Sequence, residues 1–307
     1  MNLDPPQFRE QNATRVPIPA IVRFLLSVVL VAVINVFVPM ACYSVLGDHV
    51  IVADAIYRWL GTALLIGGFL FFTRVLDQVE EDPWIYIGLP RVQGAVRQST
   101  LGFVIGGLVV SIAVSAIAIV GTFEIHPAPN GHTVTRSLLI TMLLLGGAML
   151  EELMFRGYPF QRLIDSIGVP AAILVLSAFF GAVHLGNPNA GGLWSWGFFN
   201  TLAVGILLAV AYLKTRALWF PFGIHFGWNF LLGVIFGLPV SGIRDFSVIV
   251  RGAAHGPKLL TGGAYGIEAS LTGSVVILIG IVAVALLPSG WLNSAYRSAK
   301  PDGSASN

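Results

Sequence analysis

The sequence predicts an all-α fold, a polytopic bundle of about eight transmembrane helices. Three observations predict it. Of 307 residues, 56% are hydrophobic and 10% charged, and the mean hydropathy is +0.83. A soluble domain would carry about 25% charged residues. The apolar residues fall into runs that match the roughly 20 residues a helix needs to cross a bilayer. The connections between the runs leave no room for a soluble domain. The net charge of +2 says nothing about nucleic acid, because the basic residues are scattered between apolar spans, and no nucleic-acid partner is expected.

The predicted spans are 21–46, 53–75, 100–121, 136–164, 170–186, 193–213, 218–238 and 271–291. The first follows a polar stretch and has a long apolar core, so it reads as a retained span and not as a cleaved signal peptide. The fourth is expected to run past Arg156 to Ile164 as one helix, forming a hairpin with the short fifth span through a turn at 166–168. These spans organise the chain into an N-terminal tail at 1–20, spans one to three with their connections at 21–135, and a core of spans four to seven at 136–238. An external loop at 239–270 follows, then the last span and tail at 271–307. The glycine-rich loop at 239–270 reads either as a lid or as an ordinary surface loop. In the connection at 77–98, Glu80-Glu81-Asp82-Pro83-Trp84 suggests a short interfacial helix, with Trp84 suited to the membrane boundary. The lone cysteine, Cys42, excludes an intrachain disulfide and a cysteine metal cage, and it reads as a small buried hydrophobe.

Lysine and arginine set the expected orientation. With both termini in the cytoplasm, the outer side holds Arg58, Arg136, Arg244, Arg251 and Lys258. That is 5 of the 17 basic residues, leaving 12 inside. An even number of spans agrees with this placement.

Strongly polar residues inside the spans are few, and they fall on three helices. Glu151, Glu152 and Arg156 lie on the fourth, His184 on the fifth, and His225 and Asn229 on the seventh. A carboxylate in hydrocarbon costs several kcal/mol unless paired or hydrated, so adjacent acids mark a site more readily than a packing feature. Glu152 and Arg156 are spaced i, i+4 with the acid first, the favourable order for an ion pair. Glu151 lies about 100° further round the helix and is left to face another surface. His225 and Asn229 share one face by the same spacing, as do Phe180 and His184. Residue counts through the hairpin place Glu151 and His184 nearly level, with His225 about 13 Å from the inner boundary.

A glutamate beside a histidine can activate water, and a second histidine with an asparagine can stabilise an oxyanion. Glu151, His184 and His225 would equally satisfy a catalytic zinc site with water as fourth ligand. The residues do not choose between a zinc and a metal-free mechanism. The chain has no His-Glu-x-x-His helix and no Gly-x-Ser-x-Gly elbow. Ser195 lacks the glycine frame of a serine nucleophile.

Glu151-Glu152-x-x-x-Arg156, Phe180-x-x-x-His184 and His225-x-x-x-Asn229, in this order on separate spans, resemble the three signature motifs of the CPBP family. That family includes the type II CAAX prenyl endopeptidases and the bacterial bacteriocin-processing and self-immunity (Abi) proteins. The resemblance covers residues 136–238. It implies an intramembrane endopeptidase whose polar cavity opens to the cytoplasm, acting on a membrane-embedded or lipidated peptide within the bilayer. By position, it implies Glu151 as the water-activating base with His184 beside it, His225 and Asn229 as the oxyanion site, and Glu152 with Arg156 as a supporting pair. Two other readings stand beside it. One is a non-catalytic membrane scaffold or self-immunity factor, for which the close helix packing permitted by Gly102 and Gly106 would also serve. The other is a proton-coupled transporter, against which the lack of inverted repeats speaks.

Overall fold

The computed structural model describes residues 18–80, 82–91, 94–128, 133–288 and Leu292. The predicted tails, Glu81 of the acidic run and the Trp291 end of the last span lie outside the described residues. Among the described residues, eleven α-helices follow one another: α1 (Ala20–Leu46), α2 (Val50–Val75), α3 (Pro83–Tyr86), α4 (Ala95–Val120), α5 (Val134–Arg156), α6 (Tyr158–Ile167), α7 (Val169–Val183), α8 (Trp196–Thr215), α9 (Trp219–Phe230), α10 (Lys258–Thr261) and α11 (Leu271–Leu286). Two short strands, β1 (Thr122–Pro127) and β2 (Val250–His255), pair antiparallel from Thr122↔His255 to Pro127↔Val250.

Among the described residues, six helical segments are long and apolar enough to cross a membrane, and α9 and α11 are shorter apolar helices. The chain is therefore a multi-pass helical bundle, as the composition predicts. Large apolar side chains such as Val29, Phe37, Leu108 and Leu278 are more than half exposed, the pattern of a bundle solvated by lipid.

Local chemistry sets several helix ends. The Thr133 hydroxyl accepts from the Arg136 amide at 3.2 Å and caps α5. Ser195 caps α8 by accepting from the Phe198 amide at 3.1 Å, and Ser270 caps α11 by accepting from the Gly273 amide at 2.9 Å. Each satisfies an amide that the first helical turn leaves free. The acidic run forms the expected short helix α3, with Asp82 accepting from the Trp84 amide and Pro83 in the first turn.

The fourth span departs from the expected single helix. It breaks at Gly157, whose ψ of −138° is not helical, and α6 starts again at Tyr158. Pro159 explains the break, because its ring clashes with the carbonyl four residues earlier and it offers no amide to the helix. A side chain at 157 would also lie 2.5 Å from the Leu153 carbonyl oxygen. The segment α6 turns onto α1 and buries Tyr158, Phe160, Leu163 and Ile164. Arg162 and Arg23 converge on the Asp77 carboxylate, and the Tyr158 ring stacks on Phe69 at 5.6 Å. Nor do α5 and α7 form the tight hairpin that the depth count assumed. Instead α7 packs chiefly on α8, while α5 packs on α2 and α9.

Helices α4 and α9 meet through reciprocal notches. Gly102 and Gly106 face the carbonyls of Phe220 and Ile224, and Gly223 and Gly227 face those of Ser99 and Phe103. Glycine lets the two backbones touch, so van der Waals contact replaces the hydrophobic drive that lipid does not supply. This contact holds α9, and with it His225, against the rest of the bundle.

A Cβ at Gly106 would lie 2.1 Å from the Ile224 carbonyl oxygen, whereas one at Gly67 meets nothing within 4 Å. Gly106→Ala is expected to destabilise the folded protein by about 1–3 kcal/mol through overpacking. Gly67→Ala, in a helix interior, should be neutral or slightly stabilising. Thermal unfolding of the detergent-solubilised variants measures both.

Candidate active site

The core of the site is the Glu152 carboxylate, which is fully buried. Its Oε1 accepts from Arg156 Nη1 at 3.1 Å and from His225 Nδ1 at 2.9 Å. The second Arg156 terminal nitrogen donates to the Gly205 carbonyl of α8 at 3.2 Å, and the guanidinium lies 4.6 Å from the Phe180 ring centroid. One carboxylate thus joins α5 to α9, and its arginine reaches α7 and α8. Charge-assisted hydrogen bonds are the strong ones, and a buried acid needs them.

Glu151 sits differently. Its side chain is 27% exposed, and its Oε2 lies 3.7 Å from His225 Nε2. The two ring nitrogens of His225 therefore face the two adjacent acids. Among the described residues, Glu151 Oε2 makes no hydrogen bond.

His184 follows the last residue of α7 and opens a 3-10 turn. Its Nδ1 lies 2.7 Å from the Phe180 carbonyl oxygen. A carbonyl accepts only, so Nδ1 carries the proton and Nε2 is the free acceptor of the neutral ring. The Phe180 ring lies 4.6 Å from the His184 ring and meets His225 edge-on at 6.2 Å. One aromatic ring thus contacts both histidines.

Glu151, His184, His225 and Asn229 line one cavity of about 390 Å³. The depth count relied on a continuous fourth helix, and that premise fails at Gly157. The residues meet through the separate placements of α5, α7 and α9. Further lining residues had no motif to flag them. Asn35 and Tyr57 share a hydrogen bond across α1 and α2. Arg58, counted above with the outer loops, lies against Gly147 of α5 and lines the cavity. The connection at 239–270 contributes Val240, Ser241, Ile243, Phe246 and Glu268. Glu268 accepts from Trp228 Nε1 at 2.9 Å and from the Ser241 amide and hydroxyl, which ties this connection to α9 beside Asn229. A lone glutamate in a glycine-rich loop carries no periodic signal that would place it there.

Glu151, His184 and His225 do not form a metal-binding set. Among the described residues, no group of three His, Cys, Asp or Glu side chains converges closely enough to hold a metal ion. His225 donates through Nδ1 to Glu152, which leaves its Nε2 facing Glu151. No step below runs through a metal.

A membrane-embedded helical bundle with acids, imidazoles and an amide around an internal cavity defines a class of protein that carries polar chemistry inside the bilayer. Within it, residues 133–231 match the Rce1-like family, described as type II CAAX prenyl endopeptidase Rce1-like. The match supports the CPBP/CAAX intramembrane protease family for this chain. No curated protein and no solved structure matches it.

Removing one member of a buried ion pair leaves the other charge uncompensated, at about 3–5 kcal/mol. Glu152→Ala is expected to destabilise by that amount, because it strands Arg156 and frees His225. Replacing the pair together, as Glu152→Leu with Arg156→Met, should recover most of the stability. Midpoints of chemical or thermal unfolding of the single and double variants test the coupling.

Proposed function

We propose that the protein is an intramembrane endopeptidase that hydrolyses a peptide bond of a membrane-associated or lipid-modified protein or peptide. One observation carries this reading. Of two adjacent acids, one is consumed by Arg156 and His225, while the other presents a partly exposed carboxylate to a cavity shared with two histidines and an asparagine.

In the proposed reaction, water is held between Glu151 and the free Nε2 of His184. Glu151 takes a proton from it as the oxygen attacks the scissile carbonyl carbon. Negative charge moves to the carbonyl oxygen, which accepts from the Asn229 side-chain amide and from Nε2–H of His225 when that ring is doubly protonated. The C–N bond then breaks, and Glu151 returns the proton to the leaving amine. Glu152 positions His225 through Nδ1 and does not touch the reacting atoms. CAAX-type processing of a prenylated tail is the substrate class the family match favours.

Glu151→Gln and His184→Ala are each expected to lower cleavage by about 10²–10⁴-fold while leaving the protein folded and inserted. Terminal proteomics of membrane fractions from wild type and the Glu151→Gln strain reads this as neo-termini lost in the variant. Unchanged neo-termini would sink the mechanism and favour a scaffold role.

The charge distribution supports a cytoplasmic location for both termini. Cys42 is buried and is the chain's only cysteine, so introduced cysteines label against a low background. In intact cells, an impermeant maleimide should modify Asp48→Cys and spare Gln78→Cys. The reverse pattern would invert the topology.

A further inference from the structure

Arg58 is a cation with no assigned task. It lies in the first half of α2 and lines the same cavity as Glu151. Its side chain runs over a notch made by two consecutive glycines of α5. A Cβ at Gly146 would lie 3.2 Å from Arg58 Cβ, and one at Gly147 would lie 2.3 Å from Arg58 Nη1. Any side chain at 147 would therefore displace the guanidinium from the cavity wall.

Among the described residues, Arg58 makes no ion pair, and its Nε is buried without a hydrogen-bond partner. The acid one turn earlier, Asp54, is engaged by the Tyr43 hydroxyl. A guanidinium drawn this far into an apolar bundle costs several kcal/mol unless an anion joins it. Its planar fork is shaped to bind a carboxylate through two parallel hydrogen bonds.

Position sets where that anion would sit. Gly147 precedes Glu151 by one helical turn, a rise of about 6 Å. An extended peptide covers about 3.3–3.6 Å per residue. Resting on the proteolysis reading above, we propose that Arg58 determines specificity by binding a carboxylate of the substrate a few extended residues from the scissile bond. The carboxylate is either the end of the substrate chain or an acidic side chain.

The test uses full-length protein in detergent and a prenylated CAAX peptide in three forms. These are the free acid, the C-terminal amide, and an amide with glutamate as its last residue. Wild type is expected to favour the free acid over the plain amide by at least tenfold in kcat/KM, and Arg58→Gln should erase that ratio. Arg58→Lys should retain part of it. Rescue by the glutamate-ended amide assigns the side chain as a source, and no rescue assigns the chain end. Equal losses on all three peptides in Arg58→Gln, with folding intact, would overturn the proposal and make Arg58 a charge that merely supports Glu151. So would equal use of all three by wild type. Binding of the same peptides to the Glu151→Gln variant separates the two readings, because it needs no turnover. A tenfold carboxylate preference that Arg58→Gln removes upholds the anion site even if wild type cleaves nothing. Equal binding of all three overturns it.

Discussion

The buried carboxylate of Glu152 is the constraint on which the rest of the site depends. It is out of contact with solvent, so it must be neutralised and hydrogen-bonded by the protein. Arg156 and His225 do this, and Arg156 in turn reaches Gly205 and Phe180. Four helices are thereby held in register by one charge. The Arg156 and His225 bonds both fall on Glu152 Oε1, and among the described residues Oε2 is buried without a hydrogen-bond partner, so the loss of either bond would be costly. The same network leaves Glu151, the next residue, free of Arg156 and turned toward the cavity.

Backbone contacts bring the partners of that carboxylate within reach. Helix α9 approaches α4 through four glycines, and His225, two residues from both Gly223 and Gly227, lies on the opposite face of α9 toward Glu152. Pro159 and Gly157 stop α5 just after Arg156, and α6 folds onto α1. Had the fourth span run on as one helix, α6 could not have docked with Arg23, Asp77 and Phe69.

The cavity combines elements of different kinds. Three spans supply the acids, imidazoles and amide. The connection at 239–270 supplies part of the wall and is fastened to α9 by Glu268 and Trp228. That fastening acts one residue from Asn229, so the connection bears on the orientation of a proposed oxyanion donor. Arg58, opposite the glycine notch of α5, brings a positive charge to the same space. In the proposed protease, these residues would divide between a reacting centre and a means of holding the substrate.

Among the described residues, six of the eight expected spans are helices long and apolar enough to cross a membrane, and the last two are shorter. The sequence by itself determined the multi-pass helical class and the Glu152–Arg156 pair. Each of these follows from short-range rules, namely apolar run length against bilayer thickness and the i, i+4 geometry of a helix. It also separated the two acids, because 100° of helical rotation cannot aim both at one partner. The break at Gly157 was legible in principle through Pro159, but a continuous apolar pattern concealed it. Only the tertiary structure decided that His225 faces both acids, that Phe180 contacts both histidines, and that Arg58 and Glu268 join the cavity. Those contacts span from 40 to 73 residues where a hydrogen bond records them, as Trp228 to Glu268 and His225 to Glu152 do. Helical periodicity carries information over a few turns, so pairings at that separation arise from how the helices pack and not from any pattern along the chain.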